Sequence, residues 1–212
     1  MTNHSGPGDE HLDSAKQRCG WPLGHVDYLE YHDCEWGRPT TDPHRLFEKI
    51  CLEGFQSGLS WLTILRKRDR FREVFEQFDF EKVASFGQSD VERLLDDVGI
   101  IRHRGKIEAT INNAQRACEL TETDGSLVDW VWRWAVQTPA RDAEGGVPTQ
   151  TARSAALAKE LKRGGWKFFG PTTAYAFMQS EGLTNDHDST CFVYDACETE
   201  RSAFLEGREL LP

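Results

Sequence analysis

Helix start and stop signals punctuate this 212-residue chain, and between them apolar residues return every three or four positions. Asp42-Pro43 reads as a cap followed by proline at the first helical position, with Leu46, Phe47, Ile50 and Cys51 on one stripe behind it. That helix is expected to run to about Glu53, with Gly54 and Gly58 as interruptions. Ser60 can cap a further helix carrying Leu62, Ile64 and Leu65, whose outer face holds Arg66, Lys67, Arg68, Arg70 and Arg72. Asp79 starts a short helix through Val83. Ser89 and Glu92 form a capping-box pattern with Val91, Leu94, Leu95 and Val98 behind it and Gly99 at the stop. The spacing continues through Ile107, Ile111, Ala114 and Cys118, then through Leu127, Val128, Val131, Trp134 and Ala135. Thr151 to Arg163 is an alanine- and leucine-rich helix ended by Gly164-Gly165, and another starts at Pro171 or Thr172 and ends at Gly182. No stretch alternates as a half-buried strand would. The sequence predicts an all-α fold of about eight helices. Cys19 to Thr41, broken by Pro22, Gly24, Gly37 and Pro39, is expected to be loops and short turns, and Thr138 to Gln150 a loop.

Residues 1–17 read as a polar leader, 18–194 as one domain and 195–212 as an acidic extension, either mobile or a short terminal helix. Apolar residues make up 38% of the chain, including seven Trp and twelve Phe, enough to build a substantial core. The leader lacks the apolar stretch of a signal peptide. The best membrane candidate, Leu127 to Val136, is interrupted by Asp129 and Arg133. A cytoplasmic monomer with no membrane partner is expected, and its six cysteines should then be reduced thiols or metal ligands.

A net charge of −10 excludes a broad basic clamp for nucleic acid, so any polyanion must meet a local patch. Three patches are candidates. The first is Arg66 to Arg72, and the second is Arg102, His103, Arg104 and Lys106 at a helix start. The third is Lys159, Lys162, Arg163 and Lys167, around the turn from Gly164 through Gly170 to Thr172. Each reads equally as a solvated charged face. The third also surrounds glycines that let a phosphate approach successive backbone N–H groups.

His187 and Cys191, spaced i and i+4, can share one metal, and Cys19 with His32 from the other end of the chain would complete a Cys2His2 set. With all four places filled by protein such a site is structural. The alternative is that they are separately satisfied buried residues or surface groups. Glu53 lies near Gln56, Ser57 and Trp61, in a third of the chain rich in Trp21, Tyr28, Tyr31 and Trp36. These rings are either ordinary core or the walls of a slot in which a flat, electron-poor ligand stacks while the carboxylate pairs with its edge.

Five motifs, in order from Arg18 to Cys191, resemble the 3-methyladenine DNA glycosylase I family. They are Arg18-Cys19-Gly20-Trp21, Tyr31-His32-Asp33-Cys34-Glu35-Trp36-Gly37, Cys51-Leu52-Glu53-Gly54-Phe55-Gln56-Ser57-Gly58-Leu59-Ser60-Trp61, Gly99-Ile100-Ile101-Arg102-His103-Arg104-Gly105-Lys106-Ile107 and Asn185-Asp186-His187. The resemblance implies a helix-hairpin-helix DNA glycosylase fold, with the hairpin near Gly170. It also implies one structural zinc ion per chain, held by Cys19, His32, His187 and Cys191 and joining the chain ends. It assigns Glu53 to the polar edge of an extruded base as the catalytic residue, with Tyr31 beside it, Trp61 stacking on it, and Trp21 and Tyr28 as further pocket residues. Leu59 matches a residue that wedges into the gap left in DNA, and Phe55 is expected to shape the base slot. Arg102, Arg104, Lys106, Lys162 and Gly170 are then expected to contact DNA.

The activity so implied is hydrolysis of the N-glycosidic bond of 3-methyladenine in alkylated double-stranded DNA, releasing the free base and leaving an abasic site without strand cleavage. Neither Asp186 nor Asp188 is assigned to activating water. The alternatives are a zinc-stabilised helical binding module without catalysis and a hydrolase of free nucleosides.

Overall fold

The computed structural model describes residues 16–140 and 146–211; the leader, apart from Lys16 and Gln17, lies outside the described residues. They form eleven α-helices and one 3-10 turn, with no strand among them. In chain order these are α1 (Val26–Cys34), α2 (Pro43–Gln56), α3 (Trp61–Leu65), α4 (Arg68–Val74), the 3-10 turn (Glu76–Phe78), α5 (Phe80–Val83), α6 (Gln88–Asp96), α7 (Arg104–Asp124), α8 (Leu127–Trp132), α9 (Ala152–Arg163), α10 (Pro171–Ser180) and α11 (Tyr194–Leu205). No described helix is long and apolar enough to cross a membrane.

Helix α2 is the central element. Asp42 caps it, its carboxylate accepting the N–H groups of His44 and Arg45 at 2.9 and 3.3 Å. Every residue from Leu46 to Phe55 is buried. Leu46, Phe47, Ile50, Leu52 and Phe55 pack in one core with Ile107 and Ala114 of α7 and Ala174, Phe177 and Met178 of α10. Each such large side chain contributes about 1.5–3 kcal/mol on leaving water. The helix does not stop at Glu53 as the glycines suggest; it runs on to Gln56. Gly54 serves packing instead of termination: a Cβ there would stand 3.1 Å from the Phe168 carbonyl oxygen.

That carbonyl belongs to the turn joining α9 to α10. Asn113 of α7 staples the turn, accepting the Lys167 N–H at 2.8 Å and donating to the Lys167 carbonyl at 3.0 Å. Phe168 is held at φ +55°, a left-handed conformation uncommon outside glycine.

Three local expectations are corrected. Residues 26–34 form helix α1 rather than turns; the His25 side chain makes no capping bond, so the sequence carries no start signal there. The capping box of α6 is Gly87 with Asp90, whose carboxylate accepts the Gly87 N–H at 3.0 Å, so α6 begins before Ser89 and ends at Asp96, leaving Val98 73% exposed. The basic stretch is not the outer face of one helix with Leu62, Ile64 and Leu65: α3 ends at Leu65, Arg66 and Lys67 join it to α4, and Arg68, Arg70 and Arg72 belong to α4.

Residues 195–205 belong to α11, which packs on the body. Phe204 lies 4.3 Å from the Trp132 ring centroid, Cys197 and Arg201 are buried, and the Leu211 N–H reaches the Arg133 carbonyl at 2.9 Å.

Candidate active site and metal centre

Cys19 precedes α1, His32 sits near its end, and His187 and Cys191 lie between α10 and α11. Their ligating atoms all fall within 4.8 Å of one another, and all four residues are buried. Cys19 Sγ lies 3.5 Å from His187 Nδ1, and Cys191 Sγ lies 3.5 Å from His32 Nε2 and 3.8 Å from His187 Nδ1. Ordinary zinc bond lengths at a tetrahedral angle give a sulfur-to-nitrogen edge of about 3.6 Å, so the donor set fits a closed tetrahedral site.

The outer groups fit as well. His32 Nδ1 is 2.8 Å from Asp33, whose carboxylate is held by Arg18 at 2.7–3.1 Å, and His187 Nε2 donates to the Trp36 carbonyl at 3.1 Å. These contacts fix each ring so that its other nitrogen faces the cluster. Burial pushes the Cys19 thiol up to about 12 and His187 down to about 4. The His187 imidazole is therefore held neutral, as a ligand must be, and a bound cation would favour release of the Cys19 proton.

The pocket beside this cluster has a volume of about 440 Å3 and shares Cys19 with it. Trp21, two residues beyond Cys19, meets Tyr28, Tyr31 and Trp36 edge-on at 5.7, 6.3 and 5.1 Å between centroids. Tyr31 lies 5.5 Å from the Trp61 ring. The Tyr28 hydroxyl accepts the Leu62 N–H at 2.9 Å, which anchors the start of α3 and with it Trp61. Glu53 completes the wall, 5% exposed, and its Oε2 has no hydrogen-bond partner among the described residues; Trp61 Nε1 has none either. Burial raises the Glu53 carboxyl above its ordinary range, and the Lys49 ammonium, 3.6 Å from Oε1, pulls it back. This slot is walled by rings, and the Glu53 carboxyl in it keeps an open lone pair.

Sequence reasoning did not find Lys49, although its i to i+4 spacing from Glu53 on α2 was the available signal. Nor did it find Tyr175 and Gln179 of α10, which donate at 2.6 and 3.0 Å to Asp186, another residue of the pocket lining.

Of the residues expected to meet DNA, Leu59 is 42% exposed at the loop between α2 and α3, just before the Ser60 cap. Arg102 and Lys162 are exposed with no acidic partner among the described residues, and Arg104 is exposed beside Glu108 at 3.4 Å. Gly170 caps α10 without a side chain, which leaves that helix N-terminus open. Lys106 is a correction. It is buried, and its Nζ donates to the Phe55 and Ser57 carbonyls at 2.8 and 2.7 Å, so its charge supports the loop carrying Leu59. Phe55 is another: it is buried against Phe71 at 4.6 Å and lines no part of the base slot. The arginines of the Arg66 to Arg72 patch are likewise neutralised, with Arg66 on Asp27, Arg68 on Glu35, Arg70 on Asp97 and Arg72 on Glu48, while Lys67 donates to the Val98 carbonyl at 2.9 Å.

Comparison with known proteins places this geometry. Residues 21–194 match the family model described as methyladenine glycosylase. The chain is 49% identical over 181 residues to DNA-3-methyladenine glycosylase 1 of Escherichia coli strain K12, covering 84% of this chain and 97% of that protein. A crystal structure of 3-methyladenine DNA glycosylase I superposes with a TM-score of 0.78 at 48% identity, over 84% of this chain and all of that one. A variant of 3-methyladenine DNA glycosylase I in complex with 3-methyladenine superposes with a TM-score of 0.77 at 34% identity, over 84% and 97% of the two chains. This chain belongs to the methyladenine glycosylase family.

Proposed function

We infer that this protein is a base-excision repair glycosylase that removes 3-methyladenine from alkylated double-stranded DNA. The observation that carries the reading is the buried, unpartnered Oε2 of Glu53 inside an aromatic slot with room for a nucleobase. A polar atom left open in a desolvated site is matched by a ligand that donates to it. Relatives named for this activity, one of them solved with 3-methyladenine, support the assignment.

The chemistry asks little of the enzyme. Methylation at N3 makes the base a cation in the nucleotide, so it departs neutral when the glycosidic bond breaks, without a strong general acid. The extruded base stacks on Trp61 between Trp21, Tyr28 and Tyr31, while Glu53, the catalytic residue, accepts from its edge. A cationic ring gains from the aromatic faces and the carboxylate, whereas an unmodified, neutral adenine bears the unstacking cost without those gains. Water completes the hydrolysis at the sugar carbon. No lysine lines the pocket among the described residues, and the nearest, Lys49, has its Nζ engaged by Tyr31 and Glu53. The product is therefore an abasic site with intact strands.

On the DNA side, Leu59 fills the gap left by the flipped base. The helix-hairpin-helix unit is α9, its turn and α10, where Gly170 presents the open helix N-terminus to a phosphate and Arg102, Arg104 and Lys162 lie exposed to meet others. One zinc ion on Cys19, His32, His187 and Cys191 supplies a structural tie between the chain ends. The pocket and the donor set are both built within one chain, in keeping with a monomer.

Purified protein should release 3-methyladenine from methylated duplex DNA. Glu53→Gln should lower that rate by about a hundredfold or more, the scale of a lost charge-assisted contact in a desolvated site. A folded wild type that binds the base but releases none would leave a binding module, and cleavage of free nucleosides alone would leave the nucleosidase reading.

A further inference from the structure

Lys49 stands behind the base pocket rather than in it. It lines a separate cavity of about 160 Å3, and Tyr31 and Trp61 are walls of both spaces. From that rear side its ammonium reaches three pocket groups. It donates to the Tyr31 hydroxyl oxygen, lies 3.6 Å from Glu53 Oε1, and sits 3.8 Å from the centroid of the Trp61 ring.

We propose that Lys49 is a positioning residue that sets the hydrogen-bond polarity of the base pocket, holding Glu53 as an ionised acceptor and Tyr31 as a donor. The hydroxyl oxygen of Tyr31 accepts from Lys49, which leaves the phenolic proton available for donation to the pocket. The ammonium balances Glu53 without closing on it, and Oε2 stays open. The inference rests on the base-pocket reading above and extends it to selectivity. An adenine edge sets an amine donor beside the N7 acceptor, whereas guanine offers two acceptors there. An acceptor beside a donor therefore fits the first and faces a lone pair of the second.

Burial works against this arrangement, because it raises Glu53 and lowers Lys49, and each charge sustains the other. The remaining charges around Glu53 do not substitute. Tyr31 of α1 is a phenol that accepts from Lys49 and brings no positive charge. Glu181, at the end of α10, is pushed up to about 7 by desolvation and is itself acidic. Glu35 is engaged by Arg68 at 2.6 and 2.7 Å, and Glu48 by Arg45 and Arg72. Among the described residues Lys49 is the cation in ion-pair reach of Glu53.

The test is the affinity for free 3-methyladenine, read by tryptophan quenching from about pH 5.5 to 8.5, in wild type, Lys49→Met and Lys49→Gln, each also in a Glu53→Gln background. Without Lys49 the Glu53 carboxyl should keep its proton to higher pH. Affinity should then fall relative to wild type at the acid end, by up to about tenfold for each unit of that shift, and recover toward pH 8.5. Protonation of the ligand is common to every variant and cancels in the ratio. In the Glu53→Gln background the pH-dependent part of the Lys49 effect should vanish. Preference over 3-methylguanine should narrow in the Lys49 variants. A folded Lys49→Met protein with the wild-type pH profile would overturn the proposal. So would a carbon-13 titration of wild-type Glu53 showing it protonated at neutral pH, a measurement that needs no variant. If the wild type binds no 3-methyladenine, the base-pocket reading is what fails, and the Glu53 titration still reports on Lys49.

Discussion

Tyr31 and His32 are consecutive residues on α1 that serve two centres: Tyr31 walls the aromatic pocket, and His32 directs Nε2 to 3.5 Å from Cys191 Sγ. Trp21 and Cys19 repeat the relationship two residues apart, with Trp21 5.4 Å from the His32 ring. Whatever fixes the Cys2His2 cluster therefore also fixes Trp21 and Tyr31. A loop and a helix that share little else are registered against the segment before α11, and the pocket inherits that registration.

Zinc loss should consequently act on both stability and base binding. Elemental analysis should find about one zinc per chain. Cys191→Ser, or treatment with a strong chelator, should lower Tm by about 10 °C or more, since a loss of 1 kcal/mol moves a domain of this size by about 2–4 °C. Affinity for 3-methyladenine should fall in the same preparations as Trp21 and Tyr31 loosen. A metal-free wild type with unchanged melting would remove the structural role.

Leu59 should separate duplex chemistry from base binding. Its side chain is 42% exposed and outside the core, so Leu59→Ala should change stability by no more than about 0.5 kcal/mol. Binding of the free base should be unaffected. Excision from duplex DNA should slow by about tenfold or more, because the gap left by the flipped base is no longer filled. Equal effects on the two measurements would argue against a wedge.

Lys106 and Arg104 lie two residues apart and should behave oppositely. Lys106→Met leaves the Phe55 and Ser57 carbonyls without their buried donor, and should cost about 1–3 kcal/mol of stability while leaving the salt dependence of DNA binding intact. Arg104→Gln should leave the melting curve in place and reduce the slope of log affinity against log salt by about one. Reversal of the pair would return Lys106 to the DNA surface.

The difference between those two residues marks where the sequence stops being legible. Helices announced by a cap and a one-sided stripe, such as α2 behind Asp42 and α9 behind Thr151, were readable, because capping and burial are local consequences of residue order. α1 was not, because His25 makes no side-chain cap and its apolar residues are rings shared between two centres. The Cys2His2 set and Glu53 were legible as chemistry. Charge was not, since a run of cations reads alike whether each meets an acid, as Arg68 meets Glu35, a backbone carbonyl, as Lys106 does, or solvent, as Lys162 does. Lys49 was hidden for the same reason.

Arg201 tests whether α11 is built into the site or merely laid upon it. It lies beyond residues 21–194, where the family match ends, yet it is 2% exposed and donates to the Gly182 carbonyl at 3.0 Å and the Leu183 carbonyl at 3.4 Å. Gly182 is where the ends of the fold close: a Cβ there would stand 2.7 Å from the Gly37 carbonyl oxygen, and the Gly37 N–H donates to Ser180 at 3.0 Å. Gly37 follows Trp36, whose carbonyl accepts from His187. Arg201→Met keeps much of the bulk but strips the donor from a buried carbonyl, and should cost about 1–3 kcal/mol. Melting should drop by several degrees, and zinc should be lost to a chelator faster than from wild type, because the turn that seats His187 is no longer braced. Unchanged melting and metal retention would show that the segment carrying His187 is held without α11.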